Sequence, residues 1–198
     1  MASAIRKSAL DGRVMLTRAG VSGDAQADTR HHGGPDKALH LYPSEHYAEW
    51  CRELPDRAHF FEIGAFGENL STRGLTEAAV CLGDVFTLGD AVIQVSQGRQ
   101  PCAKLNLRFE QPDMPRRVLQ TGRGGWYFRV LVTGAAGVGD RLSLIERPQP
   151  EWPLTRVWAV LFEASEDRHG LAALAGMALL SGSWRERAAR RLADSPKT

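Results

Sequence analysis

The sequence predicts a mainly β chain with helices appended at its C-terminal end. Three observations carry this. Short segments with strand-like apolar patterning fall between residues 80 and 146, two of them fed by a Gly-Asp turn. A proline-rich run, Arg147-Pro-Gln-Pro-Glu-Trp-Pro, interrupts that pattern, and three patches of helical texture follow it. Many short strands between glycine-rich turns argue for a sandwich or a barrel.

Taken in chain order, residues 20–40 hold glycines, aspartates and histidines with few apolar residues. That predicts a loop, and loops carry functional groups. Pro43 and Ser44 open a helix in which Tyr47, Trp50, Cys51 and Leu54 recur at helical spacing, and Pro55 ends it. Cys81 is expected to begin a strand. The segment from Val85 to Ile93 reads as two strands joined at Gly89-Asp90, a short-hairpin signal. Trp126–Val132, aromatic and β-branched, is a further strand, and Arg141–Ile145 another. Cys81-Leu-Gly-Asp and Gly137-Val-Gly-Asp echo each other, each a turn feeding a strand.

The proline-rich run cannot enter a helix interior and reads as a linker. Beyond it, Thr155–Glu163 and His169–Leu180 are helical, the second dense in Ala and Leu. A third helix is expected to start at Ser183, with Glu186 completing a capping box. Its Arg185, Arg187, Arg190 and Arg191 read as a solvated face. The division expected is a β domain over residues 1–147 and a three-helix appendage over 152–194.

Composition narrows the function classes. The chain has 198 residues, 43% hydrophobic and 24% charged, enough to bury a core without disulfides. Lys and Arg number 25 against 23 Asp and Glu, so the charge balance does not argue for nucleic acid. The first residues lack the apolar centre of a signal peptide, and no run approaches the roughly 20 apolar residues of a membrane span. Three cysteines without C-x-x-C pairing suggest reduced thiols in a cytoplasmic protein.

Two segments concentrate chemistry. In Val95-Ser-Gln-Gly-Arg-Gln-Pro-Cys-Ala-Lys-Leu-Asn, a strand runs out into a polar loop carrying Cys102 after a proline. Arg99 and Lys104 flank it, and positive charge favours the thiolate, which attacks electrophiles and binds soft metals. An inert, packed cysteine is the competing reading. In the second segment, Gly23 to Pro43, a Gly-Gly pair lets backbone amides approach an anion, and Arg30, His31, His32 and Lys37 supply charge-assisted donors. His31, His32 and His40 match no standard zinc spacing. Phe66-Gly-Glu-Asn-Leu offers a carboxylate and an amide beside a glycine. Thr121-Gly-Arg-Gly-Gly-Trp is glycine-rich, but no helical pattern follows, so it is neither a dinucleotide fingerprint nor a P-loop; Arg129 in the strand beyond is expected to point into a barrel.

These segments, in this order, resemble the MOSC family, named for the C-terminal domain of molybdenum-cofactor sulfurase. The similar stretches are GDAQADTRHHGGPDKALHLYPSEHY, FGENL, LGDVFTLGDAVIQVSQGRQPCAKLNLRF and GGWYFRVLVTGAAGVGDRL. The helical tail resembles the extension of the stand-alone bacterial members linked to hydroxylaminopurine resistance. The resemblance implies a β-barrel that receives a molybdenum cofactor (molybdopterin), with Cys102 as metal ligand. It makes Arg30, His31, Lys37, His40, Asn69, Arg99 and Lys104 candidates to hold the pterin and its phosphate. It implies reduction of N-hydroxylated compounds with electrons from a separate reductase, and a protonated His31 or Lys37 as general acid. Gly98 and Ala103 stand where proline and tryptophan are expected around the cysteine. A cofactor or sulfur carrier without turnover is the alternative, and a pyridoxal-phosphate protein using Lys37 or Lys104 a more distant one.

Overall fold

A computed structural model describes residues 7, 10, 12–23, 34–163 and 167–195. Nine strands form two sheets. β1 (Arg13–Thr17), β2 (Gly20–Val21) and β8 (Gly134–Gly137) make a three-stranded sheet in the order β2-β1-β8. The larger sheet takes the order β4-β3-β7-β6-β5-β9, from β3 (Leu39–Pro43), β4 (Leu70–Thr72), β5 (Val85–Leu88), β6 (Ala91–Gly98), β7 (Trp126–Val132) and β9 (Leu142–Glu146). Its pairs are antiparallel except β3 with β4. It curls as a half-barrel, and Leu16 and Ala136 of the small sheet share its core of Leu39, Leu41, Ile93, Val95, Trp126 and Phe128. The expected mainly β fold with C-terminal helices is the fold observed.

The β5–β6 hairpin turns at Gly89-Asp90 as its sequence requires. Gly89 has φ +56°, and a β-carbon there would stand 2.4 Å from the Ala135 carbonyl, so both backbone and space demand glycine.

Between strands lie α1 (Glu45–Glu53), α2 (Lys104–Phe109) and α3 (Met114–Thr121). They enclose an aromatic cluster in which Tyr42 stacks on Phe66 at 4.1 Å and Phe109 lies 4.7 Å from Phe66. The tail folds as α4 (Leu154–Phe162), α5 (Arg168–Gly176) and α6 (Gly182–Asp194) around Trp158, Leu161, Leu174 and Trp184. Backbone bonds seat it on the sheet: Leu154 N–H donates to Val80 O at 2.8 Å, Leu82 N–H to Trp152 O at 2.9 Å and Ser181 N–H to Ser96 O at 3.1 Å. No described helix is long and apolar enough to cross a membrane.

Several local expectations fail for identifiable reasons. Cys81 makes only an isolated bridge to Pro153, because the linker rather than a strand lies beside it. α5 ends at Gly176, four residues short of Leu180, where the chain turns extended at Met177. α6 starts at Gly182 with Ser181 as its cap and no side-chain capping bond, so the Ser183–Glu186 box does not form. Arg129 does not point into the barrel core. Its Nε donates to Asp36 at 2.7 Å and its Nη1 to Gln94 Oε1 at 3.1 Å and Leu179 O at 2.9 Å, tying β7 to both flanking segments.

Candidate active site

The site forms where β6 leaves the sheet. Arg99 N–H donates to Gly125 O at 2.9 Å, continuing the pairing one residue past the strand end. The chain then breaks away through Gln100 and Pro101 to Cys102. Leu105 N–H donates to Cys102 O at 3.1 Å and starts α2, whose Leu105 and Phe109 are buried in the aromatic cluster. The loop is therefore held at both ends, and Cys102 sits half-buried between them.

Cys102 lines a cleft of about 350 Å³ together with Lys37, Gln97, Tyr127, Trp184, Arg187 and Arg190. Among the described residues no carboxylate lines it. Lys37 belongs to a single 3₁₀ turn, Pro35–Lys37. That turn is fixed from the sheet: Ser96 Oγ donates to Asp36 O at 2.5 Å, and Arg129 holds the Asp36 carboxylate. Gln97 is almost fully buried; its Nε2 donates to Gly98 O at 3.0 Å, but its Oε1 has no partner.

A second group lies outside the lining of that cleft. His40 N–H donates to Asn69 Oδ1 at 3.0 Å and Asn69 N–H to His40 O at 2.8 Å, so Asn69 clips the start of β3. His40 Nε2 lies 3.1 Å from Gly124 O, and its ring packs 5.1 Å from Tyr127. Burial, then the positive charge of Arg99, holds the His40 pKa well below its ordinary value, so the ring is neutral. Arg99 is itself buried, with Nη1 lacking a partner. Trp126 Nε1, on the strand beside Gly98, is another buried donor without one. The Gly124–Gly125 turn is braced from the far side: Glu77 accepts from Gly125 N–H at 2.8 Å and from His46 Nε2 at 2.8 Å.

The sequence-derived residues therefore divide. Lys37 and Cys102 share the cleft. His40, Asn69 and Arg99 belong to the barrel wall. Lys104 is exposed at the start of α2 and does not line the cleft. Arg30 and His31, with His32, lie outside the described residues. Glu68 of the FGENL segment is spent on structure, accepting from Gly64 N–H at 2.7 Å, Phe66 N–H at 3.1 Å and the Tyr47 hydroxyl.

Sequence reading missed one wall of the cleft. Trp184, Arg187 and Arg190 come from α6, and the basic run is no uniform solvated face. Arg187 Nε donates to Leu161 O at 3.2 Å with its guanidinium 4.4 Å above Phe162, and Arg191 donates to Val160 O at 2.9 Å and Glu163 O at 3.0 Å. The arginines thus satisfy the orphan carbonyls at the C-terminus of α4. Arginines three and four apart beside a buried tryptophan were the available signal. Gly98 is explained by the same wall: a β-carbon there would stand 2.9 Å from Trp184 Cη2, so proline is not accommodated. Ala103 is exposed on the loop, and no contact explains its difference from tryptophan.

Comparison with known proteins agrees with this architecture. The MOSC domain family matches residues 28–143, and the YiiM-like, 3-alpha helix domain matches residues 152–194. Protein YiiM of Escherichia coli is 44% identical over 92% of this chain and 81% of its own length. A protein of Gibberella moniliformis named reductase is 40% identical over 99% of this chain, which spans only 35% of that longer protein. The crystal structure of YiiM from Escherichia coli superposes with TM-score 0.85 at 39% identity, covering 93% of this chain and 87% of that one. That of YiiM from Geobacillus stearothermophilus gives 0.80 at 38%, covering 92% and 86%. The chain belongs to the MOSC domain family and carries the YiiM-type three-helix extension.

Proposed function

We propose that the chain is a cytoplasmic molybdenum-cofactor-dependent reductase that detoxifies N-hydroxylated compounds such as hydroxylaminopurine, with electrons from a separate reductase. The observation that carries this is the Cys102 cleft, in which one thiol shares the lining with cations and amides and, among the described residues, with no acid. The donor set suits a pterin bearing a phosphate and a soft metal. A thiolate ligates the metal, cationic side chains of the motif segments take the phosphate, and the unpartnered Arg99 Nη1 and Trp126 Nε1, buried at the root of the Cys102 loop, offer two donors to a polar ligand. The relative named reductase supports the same reaction class.

When bound, the cofactor supplies the two electrons that cleave an N–O bond; the protein supplies position and charge. Cys102 would hold the metal. The overall change, R–NH–OH plus two electrons and two protons giving R–NH₂ and water, needs a proton at the departing oxygen. Lys37, which lines the cleft, would supply it as general acid.

The test uses protein purified from cells that make the cofactor. Wild type is expected to contain molybdenum and pterin and to reduce hydroxylaminopurine when a reductase is supplied. Cys102→Ala is expected to lose most of its molybdenum and at least about a hundredfold in activity, as for removal of a metal ligand. Equal molybdenum in the two proteins refutes the ligand role. Bound molybdenum with no turnover by any supplied donor favours a carrier.

A further inference from the structure

We propose that Arg187 and Arg190 of the three-helix extension form an anion subsite for the substrate, so that the preferred substrate is a phosphate ester of the N-hydroxylated base, a nucleoside monophosphate, rather than the free base. The inference rests on the reductase reading for its chemistry, but its binding test does not.

The cations near the Cys102 loop fall into two sets. On the barrel wall, Arg99 is buried and its Nη1 faces no partner, the setting of a group that serves a resident ligand. On the helical wall the setting is different. The Arg190 side chain is 69% exposed, and among the described residues its ion pair is with Glu186 at 3.9 Å, itself a solvated contact. Arg187 is anchored through Nε and by the Phe162 face, and among the described residues no acceptor takes its Nη groups. A fixed guanidinium beside an exposed one suits a ligand that enters and leaves. The same cleft is lined by Trp184, Tyr127 and Gln97, whose buried Oε1 has no partner among the described residues. Planar side chains and an acceptor amide suit a heterocycle with an N–H edge; arginines suit the phosphate at its far end. Because both arginines lie on α6, the extension and not the barrel would set this preference.

A phosphate could also belong to the pterin cofactor, and the experiment separates the two sources. AMP, adenosine and inorganic phosphate are titrated into the protein isolated with its cofactor, following tryptophan fluorescence, for wild type, R190E and R190K. Wild type is expected to bind AMP roughly tenfold more tightly than adenosine, a preference that salt weakens. R190E is expected to abolish the preference, R190K to keep part of it, and all three to hold the same molybdenum and pterin and unfold at the same temperature. In turnover, R190E is expected to raise KM for the nucleotide form of hydroxylaminopurine and leave that for the free base unchanged. Equal binding of AMP and adenosine by wild type overturns the proposal. So does loss of pterin from R190E, which would assign the anion to the cofactor. An intact AMP preference without reductase activity from any donor supports the subsite and refutes the reductase reading alone.

Discussion

The barrel side and the helical side of the Cys102 site are built by different physics. The barrel wall is held by strand pairing. Its polar side chains arrive at fixed backbone positions, and several remain unsatisfied in the interior: Gln97 Oε1, Arg99 Nη1 and Trp126 Nε1. Buried polar atoms without partners cost about 1–3 kcal/mol each, a cost a bound polar ligand removes. The helical wall is held by aromatic packing, Trp184 against Phe162 at 5.1 Å and Trp158 at 6.2 Å, and by arginines bonded to helix-end carbonyls. One side leaves buried polar atoms without partners, while the other is held by packing and presents the Arg187 and Arg190 guanidiniums at the cleft. The contrast predicts that the helical wall can be broken by packing changes alone, while the barrel wall responds to charge and protonation.

The largest effect is expected from Trp184→Ala. The indole is buried and joins α4, α6 and the end of β6, so its removal should cost ~3–5 kcal/mol, as for other buried aromatic truncations. Urea unfolding followed by circular dichroism measures this. A loss below about 1 kcal/mol would mean that the helices do not depend on this contact. Gly98→Val attacks the same contact from the barrel side and should cost ~1–3 kcal/mol by overpacking. In the double variant the two losses should fall short of additive, since the indole that the valine meets is gone. Strict additivity would deny that Gly98 and Trp184 are coupled.

That coupling also marks the limit of what the sequence could tell. The hairpin at Gly89-Asp90, the strand Trp126–Val132 and the loop placing Cys102 were legible because apolar alternation and turn chemistry are local. β3 was not, because Leu39–Pro43 is buried throughout and shows no alternation. β8, Gly-Ala-Ala-Gly, has no strand-forming residue at all and exists through its pairing with β1. α2 is six residues long with no capping side chain, too short to show a period. The thiol and its flanking arginine could be named in advance from the motif. Arg187 and Arg190 could not, since only the docking of α6 brings them to Cys102.

The smallest effect tests the barrel wall through His40. Its folded-state pKa lies well below the ordinary histidine value of about 6.5, first through burial and second through Arg99. The unfolded chain therefore binds a proton that the folded one refuses. Above about pH 6.5 the ring is neutral in both states and contributes no slope. As pH falls below it, the unfolded state is favoured, by at most about 1.4 kcal/mol per pH unit for one site. Stability should then decline between pH 6.5 and 5, before most carboxylates titrate. His40→Gln should flatten that part of the profile, while His59→Gln, an exposed ring on the 3₁₀ segment Pro55–Phe60, should leave it unchanged. Urea midpoints at pH 7.5, 6.0 and 5.0 for the three proteins decide it. Identical slopes for wild type and His40→Gln would show that the buried ring accepts its proton in the folded state, and that the positive charge of Arg99 is neutralised where the barrel wall leaves it unpaired.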